Sequence, residues 1–419
     1  MAATIKQVKA CEILDSRGNP AVETTVILSD QSRGIASIPS GASVGKHEAV
    51  ELRDNDPDRF NGMGVLKAIT KVNEKIFPLI KSLQANKQEV IDQLLIDLDG
   101  TANKSRLGAN SILSVSQALL KATAMSYKMP IYQYLKKKFK LTKNLEMPRP
   151  IFNLINAGKH GASELEFQEF QIIPWKQKSF KKNLQLGVEI YQALKKILKT
   201  KKLDFNVGDE GGFSPQLLNN FDALEILRKA IRKAGYRLGE NVFLGLDVAA
   251  SHFYKQKKYW ISDFSRPIST DKLLLFYQRL VKQFHLRYLE DAFEEDSWQA
   301  WQKLTRQFSK QPVLITGDDL LCTNLKRLKK AIEIQAANAI LVKPNQIGTI
   351  NETIQVIKEA KKNNWQIIIS HRSGETNDNF LADLAVGVGA DMVKFGAPAR
   401  GERLVKYNRL LKIEQEINK

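Results

Sequence analysis

A single charged residue closing a strand that is buried on both faces is where a barrel enzyme would place its chemistry. The stretch Ala339-Ile-Leu-Val-Lys343 has that form. Pro344 follows and cannot donate to a ladder, Gly348 turns the chain, and a helical pattern starts at Thr349. Five more short apolar runs end in the same way, on Asp247, Glu290, Asp318, His371 and Lys394. The steps from Asp247 through Lys343 to Lys394 are 43, 28, 25, 28 and 23 residues. A (β/α)8 barrel of about 250 residues has a period of roughly 30, and its reactive groups sit where the strands end. Three carboxylates on successive strands, Asp247, Glu290 and Asp318, cannot stay ionised together unless a cation neutralises them. Oxygen ligands without thiolate or imidazole suit a hard ion, Mg2+ in particular. A lysine beside bound cations has its pKa depressed and can act as a base, so Lys343 facing the metal suggests proton abstraction next to a carboxylate.

These residues need elements to carry them. Residues 1 to about 145 read as a separate α+β unit. Strands at 22–28 and 35–38 flank the turn at 30–34, and helical patterns follow near 63–82, 88–97 and 109–126. Between them lies Pro39-Ser-Gly-Ala-Ser-Val-Gly45, a small-residue loop with two hydroxyls, suited to a plain turn or to a mobile lid. Met147-Pro-Arg-Pro150 reads as the linker, because two prolines forbid a continuous helix. From 146 to 419 the chain reads as the barrel unit: strands at 151–155 and 167–174, the second carrying Gln168 and Glu169, then helices near 180–202 and 221–235. The Gly-rich acidic turn Asn206-Val-Gly-Asp-Glu-Gly-Gly212 separates those helices, suited to a plain loop or, placed before the array of strand ends, to presenting Glu210 at the barrel mouth.

Composition narrows the class. With 419 residues, 43% hydrophobic, the chain is globular and long enough for two domains. Two distant cysteines, Cys11 and Cys322, support neither a disulfide framework nor a zinc site. No apolar run approaches the ~20 residues of a membrane span, and the N-terminus lacks a leader pattern, so a soluble, cytoplasmic protein is expected. The net charge of +19 would suit a nucleic-acid binder, yet the lysines are dispersed over helical faces without a recognisable motif.

At motif after motif the chain resembles the enolase family, from Ile13 to about Glu416. The motifs are Asp15-Ser-Arg-Gly-Asn-Pro20, Ser40-Gly-Ala-Ser43, Asp99-Gly-Thr-Ala-Asn-Lys104, Gly208-Asp-Glu-Gly-Gly212, Lys343-Pro-Asn-Gln-Ile-Gly348 and Ser370-His-Arg-Ser-Gly-Glu-Thr376. The resemblance implies an N-terminal α+β domain, an enolase-type ββαα(βα)6 barrel, and reversible Mg2+-dependent dehydration of 2-phosphoglycerate to phosphoenolpyruvate in glycolysis. It implies Lys343 as the base at C2, Glu210 as the acid at the C3 hydroxyl, and Glu169 as the residue supporting that acid. Asp247, Glu290 and Asp318 would hold the first of two metals, and Ser43 would join the second. Gln168 and Lys394 would bind the substrate carboxylate, Arg372 and Ser373 the phosphate, while His160 and His371 fall at the family's histidine positions. A homodimer, or an octamer of dimers, is the assembly implied.

Departures accompany the match. Val44 stands where threonine is usual, Ala157 replaces one glycine, Gly161 replaces alanine, His252 a glutamate and Phe395 a threonine. None removes a catalytic position. They motivate an alternative, an enolase-fold protein with weakened catalysis kept for a binding or structural role. Cell-surface presence and plasminogen-type binding, known in the family, would rest here on the single terminal Lys419.

Overall fold

The computed structural model describes residues 2–161, 165–176 and 179–418. Its N-terminal unit is a three-stranded antiparallel sheet of β1 (Ile5–Leu14), β2 (Pro20–Leu28) and β3 (Arg33–Ser37). In β2 buried residues alternate with half-buried ones from Val22 to Leu28, the pattern of a central strand with one face on a core. That core is supplied by helices: α1 (Leu66–Thr70) runs through a π turn into α2 (Phe77–Ile80), and α3 (Gln88–Asp99), α4 (Ala109–Ser126) and α5 (Ile131–Phe139) follow. β1 and α5 have no counterpart in the sequence reading; in β1 the alternation is broken at the adjacent exposed pair Lys6 and Gln7, where the pairing with β2 shifts register.

The second unit is a closed eight-stranded barrel. In chain order come β4 (Arg149–Asn156), β5 (Glu169–Pro174), α6 (Phe180–Thr200), α7 (Asn220–Lys233) and β6 (Val242–Asp247). A small hairpin of β7 (Tyr254–Lys255) and β8 (Lys258–Tyr259) precedes α8 (Thr270–Phe284). Then β9 (Leu286–Glu290), α9 (Trp298–Phe308), β10 (Leu314–Gly317), α10 (Leu325–Glu333), β11 (Ala339–Val342), α11 (Ile350–Lys362), β12 (Gln366–Ser370), α12 (Phe380–Val388), β13 (Met392–Lys394) and α13 (Gly401–Ile417) alternate. β5 is antiparallel to both neighbours, β4 and β6, and the other adjacent pairs are parallel. One reversed strand in an otherwise parallel barrel gives the ββαα(βα)6 order. The expected linker overlaps this unit, since Arg149 and Pro150 already belong to β4.

Each strand of β11 type is buried on both sides. Ala339 and Leu341 point into the barrel with Ile151, Ile173, Tyr288, Ile368 and Met392, while Ile340 and Val342 join the larger core under the helices. The helix after β11 starts by a local rule: the Thr349 hydroxyl accepts from the Glu352 N–H at 3.1 Å and bonds the Glu352 carboxylate at 2.7 Å. Gly348 before it has φ +101°, and a Cβ there would meet Lys104 Cδ at 2.7 Å.

Candidate active site

The six strand ends converge on one rim. Asp247, Glu290 and Lys394 are the last residues of β6, β9 and β13, while Asp318, Lys343 and His371 directly follow β10, β11 and β12. All but half-buried Lys343 are buried. Glu169 opens the reversed strand β5, so its side chain reaches the same rim as Asp247, its partner in the ladder. Glu210 arrives from the loop between α6 and α7 and is 1% exposed.

Three groups of contacts organise the rim. The first is acidic: Glu169 Oε1 and Glu210 Oε1 lie 3.3 and 3.4 Å from His160 Nδ1, and Glu210 Oε2 lies 3.4 Å from His371 Nε2. Asn153 of β4 donates its amide to Glu210 Oε2 at 2.9 Å, and Gln171 of β5 donates to Glu169 at 2.7 Å. Burial pushes the Glu210 carboxyl up, but the two histidines outweigh it and hold the group well below the ordinary carboxylate range. Glu169 is pushed up, by burial and then by Glu210. His160 is raised despite its burial, through Glu210 and Glu169, whereas burial takes His371 down to about 3.

The second group is cationic. The Lys394 ammonium touches Glu169 at 3.0 Å, Asp247 at 3.0 Å and Glu290 at 2.8 Å, tying the acidic group to the carboxylates expected to hold metal. Lys343 pairs with Asp318 Oδ2. The depressed pKa expected of Lys343 is tied to cations bound beside it; the protein's own groups act on that pKa in two directions. Burial lowers it, but the unshared Asp318 charge outweighs that and holds the ammonium above the ordinary lysine value. Gln346 completes this corner, donating to Asp318 Oδ1 at 2.8 Å.

The third group seats the Ser/Gly loop. Ser40 and Gly374 exchange backbone hydrogen bonds at 2.9 Å, and the Ala42 N–H donates to the Ser373 hydroxyl at 2.5 Å. Arg372 donates to the Ser43 carbonyl at 2.9 Å and grips Glu48 with both terminal nitrogens, at 2.7 and 3.2 Å.

The three carboxylates named from sequence do not form one closed set. Asp291 stands between them: ligand oxygens of Asp247, Glu290 and Asp291 lie within 4.8 Å of one another, as do those of Asp291, Asp318 and Asp319. Crowding has the effect expected of it, since burial and neighbouring carboxylates push Glu290 and Asp291 far up, and Asp319 up to about 8. Among the described residues Asp247 Oδ1 is buried without a hydrogen-bond partner. An all-oxygen donor set with an unsatisfied buried acceptor fits a divalent cation. Gln168, 4% exposed, adds another unpartnered buried oxygen at Oε1 beside Asp247.

Sequence reasoning missed Asp291, Asn153, Glu48, Gln346 and Arg403. Asp291 was signalled by its adjacency to Glu290 and Glu48 by its place just behind the Ser/Gly loop. Arg403 had no local signal. Of the departures, Val44 is 63% exposed and Phe395 packs its ring 5.9 Å from Tyr407. Ala157 starts the turn that carries His160, its N–H donating to the Gln168 carbonyl at 2.9 Å. At Gly161 a Cβ would meet Ser214 Oγ at 2.4 Å and the Asn156 carbonyl at 2.5 Å, so this backbone has no room for alanine. His252 is half-buried, and burial and Lys159 push it down to about 4. Lys419 lies outside the described residues. Among those residues no helix is long and apolar enough to cross a membrane.

A barrel with a reversed second strand, carboxylates at successive strand ends and two lysines among them, one buried and one half-buried, defines a class of acid–base enzymes assisted by a divalent metal. Residues 5–135 match the family model "Enolase, N-terminal domain" and residues 144–419 match "Enolase, C-terminal TIM barrel domain". An enolase of Helicobacter pylori is 46% identical over 415 residues, 99% of this chain and 96% of the relative. One of Ehrlichia ruminantium is 47% identical over 414 residues, 99% of this chain and 97% of the relative. The chain belongs to the enolase family.

Proposed function

We propose that this protein is a working enolase that interconverts 2-phosphoglycerate and phosphoenolpyruvate by loss and gain of water. The observation that carries the reading is the continuity of the rim: Lys394 joins the Glu169–Glu210–His160 group to Asp247 and Glu290, and Lys343 enters the same rim through Asp318.

In this reading units 1–145 and 146–419 divide the work, the first supplying the loop that closes the site and the second the chemistry. Lys343 takes the C2 proton once Asp318 no longer holds its ammonium. Lys394 and Gln168 bind the substrate carboxylate. Arg372 and Ser373 bind the phosphate, for which the grip of Arg372 on both oxygens of Glu48 is the matching two-pronged geometry. Glu210 protonates the departing hydroxyl, drawing on the proton that His160 and Glu169 hold 3.3 Å apart. Asp247, Glu290 and Asp318 would hold one Mg2+ and Ser43 would serve a second, and the ions when bound would supply positive charge opposite the substrate carboxylate. A glycolytic, cytoplasmic setting and a homodimer, or an octamer of dimers, complete the proposal.

A coupled assay with 2-phosphoglycerate tests it. Turnover should require Mg2+, stop in excess chelator and return when Mg2+ is restored; full activity in chelator would exclude the metal role. Absence of turnover at high protein concentration would instead favour a fold retained for binding. Neither the comparisons nor the geometry of the five departures supports that alternative, and no motif supports nucleic-acid or plasminogen-type binding.

A further inference from the structure

Arg403 lies on α13, 32 residues beyond His371 in the chain, and it is 0% exposed. One terminal nitrogen donates to His371 Nδ1 at 2.7 Å and to the Arg372 carbonyl at 2.6 Å. The other donates to the carbonyls of Asp209, at 2.9 Å, and Ser373. A guanidinium has five N–H donors and no acceptor. His371 Nδ1 must therefore accept, which leaves the ring neutral with its proton on Nε2. Among the described residues buried Nε2 has no hydrogen-bond partner, and it lies 3.4 Å from Glu210 Oε2.

The ring has no freedom to escape this arrangement. Gly396, at φ +84°, backs onto it so closely that a Cβ would come within 2.9 Å of His371 Cε1 and 3.1 Å of Arg403 Cδ. The same helix braces Gly396 from behind, the Tyr407 hydroxyl donating to its carbonyl at 2.7 Å. The charged groups around the imidazole are Arg403 from α13, Glu210 from the α6–α7 loop and Lys394 from β13, and two of the three oppose a second proton on the ring.

We infer that Arg403 is a positioning residue that locks His371 as a neutral ring with its proton on Nε2, the nitrogen on the Glu210 side, so that His371 serves the reaction as a hydrogen-bond donor to the leaving hydroxyl and never as a proton acceptor. Through the Asp209, Arg372 and Ser373 carbonyls the same guanidinium sets the spacing between the acid loop and the phosphate-binding loop. The inference rests on Glu210 being the acid.

The test uses the full-length, Mg2+-loaded enzyme labelled with 15N in its five histidines, the His371 signals being assigned by difference with His371→Asn. Wild-type His371 should show an unprotonated Nδ1 and a protonated Nε2 that do not titrate between roughly pH 5 and 8, where a free imidazole changes charge. Arg403→Gln, which can accept as well as donate, should release the ring to titrate, lower kcat on the order of 10- to 100-fold and add a histidine-like ionisation to the kcat profile. Arg403→Lys, still donor-only, should restore the wild-type tautomer and recover part of kcat even though it too loses carbonyl contacts. A wild-type His371 that titrates in that window, or carries its proton on Nδ1, overturns the inference without any variant. So does equal loss in both variants with the tautomer unchanged, which is what a merely structural arginine would give. If Glu210→Gln retained dehydration, the acid assignment would fall while the tautomer measurement still stood.

Discussion

At the scale of single residues, the site works by setting unlike partners against one another. Glu169 and Glu210 share His160 yet are driven in opposite directions, one up through burial and its neighbour's charge, the other down through two histidines. Lys343 and Glu210 are assigned to different steps, so substitutions should separate those steps. Lys343→Ala should abolish exchange of the C2 proton with solvent and lower turnover by roughly 10²–10⁴-fold, the usual contribution of a positioned acid or base. Glu210→Gln should lose dehydration to a similar degree while keeping most of the exchange, because proton removal precedes its action. Equal loss of exchange in both variants, followed by deuterium incorporation, would show the division of roles to be wrong.

Elements decide how firmly those residues are held. α3 of the N-terminal unit meets the first turn of α11 through Asp92, whose carboxylate accepts the Asn351 N–H at 2.9 Å and the Gln88 amide at 2.9 Å. A helix N-terminus favours an anion, but burial is the larger effect here and raises Asp92 to about 6. The folded value lies above the unfolded one of about 3.9. The contribution of Asp92 to stability is therefore complete below about pH 4 and is lost as pH rises through about 6. Denaturant unfolding of wild type and Asp92→Asn should diverge over that window, the wild type losing ground by roughly 2–3 kcal/mol; parallel curves would refute it. Elsewhere on the barrel, α6 packs against β4 at Gly187, where a Cβ would come within 2.5 Å of the Phe152 ring. Gly187→Ala gains up to about 1 kcal/mol of helix propensity but overpacks a core ring at about 1–3 kcal/mol. A net fall in unfolding midpoint is expected, and an unchanged or raised midpoint would mean that β4 yields.

Across the whole molecule, the two units are joined by buried polar contacts as well as by one apolar core. Lys104 pairs with Glu352 at 2.9 Å, and the Ser116 hydroxyl accepts the Ile350 N–H at 3.0 Å. Both partners are at the start of α11, the helix that follows Lys343, so the N-terminal unit braces the strand end carrying the base. The charge of +19 is a property of this scale too. Exposed lysines on α6 and α7 are spread over solvent faces, and their summed field should draw in an anionic substrate. Raising ionic strength, which shortens the screening length to about 8 Å at 0.15 M, should lower kcat/KM for 2-phosphoglycerate while leaving kcat nearly unchanged. A kcat/KM indifferent to salt would show that the field plays no part in capture.

Strand ends were legible in the chain because a parallel barrel strand is a short, wholly apolar run, and a polar residue closing it is visible without any tertiary knowledge. That local contrast placed Asp247, Glu290, Asp318, Lys343, His371 and Lys394 at one rim, and the spacing supplied the barrel. Glu210 and Ser43 were legible as polar residues in Gly-rich loops. Tertiary structure alone decided which groups touch. It put Asp291 between the carboxylates, set Glu48 in the fork of Arg372, and brought Arg403 from the last helix to His371, because contacts between residues far apart in sequence depend on how strands and helices are stacked. The protonation of the site followed the same division: residue types could be read in order along the chain, but burial and the distances between charges, which fix every pKa, exist only once the barrel has closed.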